Sequence, residues 1–68
     1  MKTVLQELTP VALLMDIPEY NLQRGQVGTI VEILSESVFE VEFCDNKGRT
    51  INQIPVEQKD LLLLRYEA

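Results

Sequence analysis

The stretch Arg24–Cys44, RGQVGTIVEILSESVFEVEFC, constrains the chain more than any other. Phe39, Val41 and Phe43 alternate with Glu40 and Glu42, the period-2 pattern of a half-buried strand. Ser35, Glu36 and Ser37 suit a turn, so the stretch reads as a β-hairpin. Symmetric pairing about Glu36 sets Ile33 opposite Phe39, Val31 opposite Val41 and Thr29 opposite Phe43, all on one face. Glu32 with Glu40, and Ile30 with Glu42, then share the other. Ile30 is apolar on that otherwise charged face. A bend or bulge beside Gly28 would turn part of the strand toward a second sheet, as a small barrel requires. Arg24-Gly25 supplies the turn leading in.

The flanking segments extend the same architecture. Asp45-Asn46-Lys47-Gly48 fits a type I turn closed by a glycine bulge, with Asp45 opposite Arg49 and Ile51 opposite Phe43 on the core face. Asn52 and Gln53 are weak strand formers, which predicts a short fourth strand ending near Ile54-Pro55. Val56–Asp60 reads as one helical turn, and Leu61–Leu64 as a last strand closing against the first. That first strand is Val11–Met15, with Pro10 at its start as the start of an edge strand. Between it and the hairpin, Asp16–Gln23 is a loop whose Tyr20 and Leu22 fold back over the core. Residues 1–9, with Val4, Leu5 and Leu8 at helical spacing, form an arm or a single turn, and 65–68 a polar tail. The expectation is one all-β domain over residues 1–68: an SH3-like barrel of about five antiparallel strands, with one helical turn before the last.

At 68 residues there is room for a single core, and an apolar fraction of 46% is enough to form one. No apolar run approaches the roughly 20 residues that span a bilayer. No signal peptide is apparent, and the single Cys44 can make no internal disulfide, so a cytoplasmic protein is expected. The formal net charge of −5 opposes binding to duplex nucleic acid, whose capture relies on Lys and Arg. Without histidine, imidazole catalysis and His-based metal sites are excluded.

Several stretches resemble the bacterial family of domain of unknown function 4926: Val11-Ala12-Leu13, Leu22-Gln23-Arg24-Gly25, Val27-Gly28-Thr29-Ile30-Val31-Glu32, Phe39-Glu40-Val41-Glu42-Phe43 and Gly48-Arg49-Thr50. The resemblance covers most of residues 8 to 64. It implies an SH3-like barrel and carries no activity and no catalytic residues. Val27-Gly28-Thr29-Ile30 and Val41-Glu42-Phe43 are also similar, more weakly, to the SH3-like peripheral subunit of photosystem I that helps dock ferredoxin. This chain has glutamates where that family tends to carry basic residues, which argues against an acidic partner.

Chemistry is sparse. Cys44 has no histidine to activate it, and Gly25, Gly28 and Gly48 are spaced for turns rather than for cradling phosphate. With no tryptophan and only Tyr20 and Tyr66 as expected exposed aromatics, a groove for proline-rich peptides is not expected. Glu32, Glu40 and Glu42 form an acidic outer face which, with Ile30 and Tyr20, is the candidate partner-binding surface. The expected function is a non-enzymatic protein-interaction or accessory module without cofactor or metal, its partner a protein with a basic surface. Alternatives are a peripheral subunit of a photosynthetic electron-transfer complex and an antitoxin-like inhibitor of a basic enzyme.

Overall fold

Val38–Cys44 forms a strand because its alternation lets Phe39, Val41 and Phe43 bury one face completely while Glu40 and Glu42 stay outward. The computed structural model describes residues 9–64. Within them five strands, β1 (Pro10–Leu13), β2 (Val27–Ile33), β3 (Val38–Cys44), β4 (Thr50–Glu57) and β5 (Leu61–Leu63), make one antiparallel sheet in the order β4-β3-β2-β1-β5. The all-β expectation holds in this form. Of the expected arm at residues 1–9, residues 1–8 lie outside the described residues, as does the tail at 65–68; Thr9 is described, and its carbonyl accepts from Ile30 N–H at 2.9 Å.

One cluster unites Val11 and Leu13 of β1, Ile30 of β2, the three inward residues of β3, Ile54 and Val56 of β4, and Leu61 of β5. No second layer covers the sheet among the described residues, whose other regular elements are single 3-10 turns at Pro18–Tyr20 and Gln58–Asp60. Residues this dry therefore require the sheet to curl around its own inner face. Each fully buried aromatic or aliphatic side chain contributes about 1.5–3 kcal/mol.

The curl is visible in the register. Between Ile30 and Glu32 the pairing of β2 with β3 shifts by one residue, leaving Val31 as the extra residue of a bulge. Ile33 faces Phe39 as symmetric pairing demands, but Val41 faces Ile30 and Phe43 faces Gly28. This corrects three expectations. Ile30 is fully buried instead of lying on the outer face, Val31 is only half-buried, and Ile33 is 43% exposed. Two adjacent apolar residues compete for one inward position here, and the bulge gives it to Ile30.

The turn after β3 closes as expected. Asp45 N–H donates to Arg49 O at 2.8 Å, Gly48 N–H donates to Asp45 O at 3.0 Å, and Gly48 takes φ of 82°. A second register shift follows immediately. Phe43 pairs with Asn52 and Cys44 with Thr50, so Ile51 is the extra residue and is 47% exposed, not opposite Phe43 in the core. β4 also outruns its expected end at Ile54-Pro55. Partner groups of β3 continue to Val38, which pairs with Glu57, and this template overrides the weak propensities of Asn52 and Gln53. The helical turn shortens accordingly to Gln58–Asp60.

β1 starts at Pro10, as expected, but is an inner strand and stops at Leu13, leaving Leu14 and Met15 exposed. β5 pairs with it, Leu61 opposite Leu13 and Leu63 opposite Val11, as the closing strand should. The loop between β1 and β2 is pinched by an Ile17–Leu22 bridge around the 3-10 turn, with Asn21 left-handed at φ of 59°. Leu22 is buried beneath it. Asn52 Nδ2 donates to Tyr20 O at 3.1 Å, so the loop is tied to β4 across the side that no strand pairing closes.

Candidate functional site

The outward residues of β2, β3 and β4 line up in rows set by the register. Glu32 is opposite Glu40, which is opposite Pro55; Thr29 is opposite Glu42, which is opposite Gln53; and Val38 is opposite Glu57. The bulge carries the strand through the change of face, so Glu32 keeps its outward position although Val31 has been inserted before it. Sequence reasoning placed Glu32, Glu40 and Glu42 together, and the structure brings them together.

Their surroundings differ. Thr50 Oγ1 donates a hydrogen bond to Glu42 Oε2, which ties that carboxylate to the start of β4. Glu32 is exposed and Glu40 half-buried. Neither carboxylate has a hydrogen bond or ion pair among the described residues. The ion pairs among the described residues engage other carboxylates: Arg49 Nε is 2.9 Å from Asp45 Oδ2, and Lys59 Nζ is 3.8 Å from Glu57, at the end of these rows, and 3.5 Å from Asp60.

Two candidates leave this surface. Ile30 lies in the core, so it gives the face no apolar centre; Val38 and Pro55 are the apolar residues in the acidic rows. Tyr20 is 40% exposed but sits on the β1–β2 loop, beside a shallow open depression lined by Asp16, Pro18, Asn21, Leu22 and Gln23. Cys44 ends β3 as an exposed free thiol. Among the described residues no cluster of three or more His, Cys, Asp or Glu is arranged to hold a metal ion, and no helix is long and apolar enough to cross a membrane.

Sequence reasoning overlooked a second surface. The outward residues of β1 and β5 are apolar too, and the signal was present in the uninterrupted runs Val11–Met15 and Leu61–Leu64, which lack any polar alternation.

No curated protein and no solved structure matches the chain, so the likenesses to SH3-like barrels and to the photosystem I subunit rest on the residues quoted for them. Residues 7–63 match the family described as Domain of unknown function (DUF4926), and the chain belongs to that family.

Proposed function

We propose that the chain is a non-enzymatic protein-interaction module that engages a basic protein surface through the outer face of β2, β3 and β4. The observation that supports this is the directly opposed pair Glu32–Glu40, which no cation among the described residues neutralises. Like charges directly opposite across strands destabilise a sheet by about 0.5 kcal/mol. A Lys- or Arg-bearing partner would relieve that repulsion on binding and would be steered toward it in solution. The same charge balance, −5 overall, disfavours duplex nucleic acid as the partner. A cytoplasmic location belongs to this reading, with the lone Cys44 as its support.

The test uses a partner captured by pull-down from the native host. A soluble basic enzyme would make the module an inhibitor, whereas a membrane electron-transfer complex would make it a peripheral subunit. Glu32→Lys converts the opposed pair to opposite charges. The variant should melt higher, by about 0.5 kcal/mol of stability, while binding the partner more weakly and with a shallower dependence on salt in titration calorimetry. Unaltered affinity together with an unaltered salt slope would remove this face from consideration.

A further inference from the structure

We draw no further inference here: the strongest candidate, the apolar outer face of β5, β1 and β2 formed by Leu62, Ala12 and Val27, is an unpartnered sheet face among the described residues, and nothing in the structure shows what covers it.

Discussion

A Cβ placed on residue 28 would lie 2.8 Å from two ring carbons of Phe43 and 2.8 Å from Cγ1 of Val41. Gly28 is therefore required by the space that Phe43 occupies across the strand pair, and no turn or positive φ is involved. Gly28→Val should lower stability by about 2 kcal/mol through overpacking. Chemical denaturation checks this, and an unchanged midpoint would mean that the Phe43 ring moves aside at no cost. Asp45 acts through hydrogen bonds instead. Its Oδ1 accepts from the N–H groups of Arg49 at 3.0 Å and Lys47 at 2.8 Å, while Oδ2 accepts from Arg49 Nε at 2.9 Å. These bonds, the Arg49 N–H foremost and then the Lys47 N–H, hold its carboxyl below the usual carboxylate range. A folded-state value below the unfolded one gives stability that is present above about pH 4 and is lost as pH falls through the folded value. Asp45→Asn should thus melt below wild type at pH 7, and the gap should close in strong acid. A gap that persists at about pH 2 would assign the loss to something other than the charge.

At the scale of elements, the alternation of Phe39, Val41 and Phe43 was enough to orient β3, and the turn residues Asp45–Gly48 were enough to close the next connection. What the sequence did not disclose were the two single-residue register shifts. A bulge is chosen by the competition of neighbours for inward positions, Ile30 against Val31 and Ile51 against Asn52, and that competition depends on strands distant in sequence. The acidic rows of the candidate site survived because the bulge lies before Glu32. Ile30 was misplaced because the bulge lies just after it. β4 illustrates a different device. It is an edge strand of eight residues, long enough to template another chain, but Pro55 lies within it and offers no N–H to a further strand. Pro55→Val should raise the rate of aggregation on warming, followed by light scattering. An unchanged rate would show that Ile51 and the second bulge protect the edge without Pro55.

On the scale of the whole molecule, polar and apolar surfaces are segregated along one curled sheet: carboxylates outside β2 to β4, and aliphatic side chains outside β5 to β1. The topology also has a temporal consequence. β1–β2, β2–β3 and β3–β4 join strands that follow one another in the chain, whereas β5, three residues long, must return across nearly the whole sequence to meet β1. Closing so long a loop for so few hydrogen bonds is entropically the least favourable step, so the meander β2–β4 should assemble first and β5 dock last. The last strand to dock should also be the first to open. In native-state hydrogen exchange the Leu64 amide bonded to Pro10 O and the Leu14 amide bonded to Asp60 O should exchange well before those of Val41 and Phe43. Equal protection at all four would mean that the seam and the meander open as one unit. A chain that loosens at this seam transiently uncovers the inner faces of Leu61 and Leu13, so its resistance to proteases is set by the β1–β5 junction and not by the better-packed hairpin.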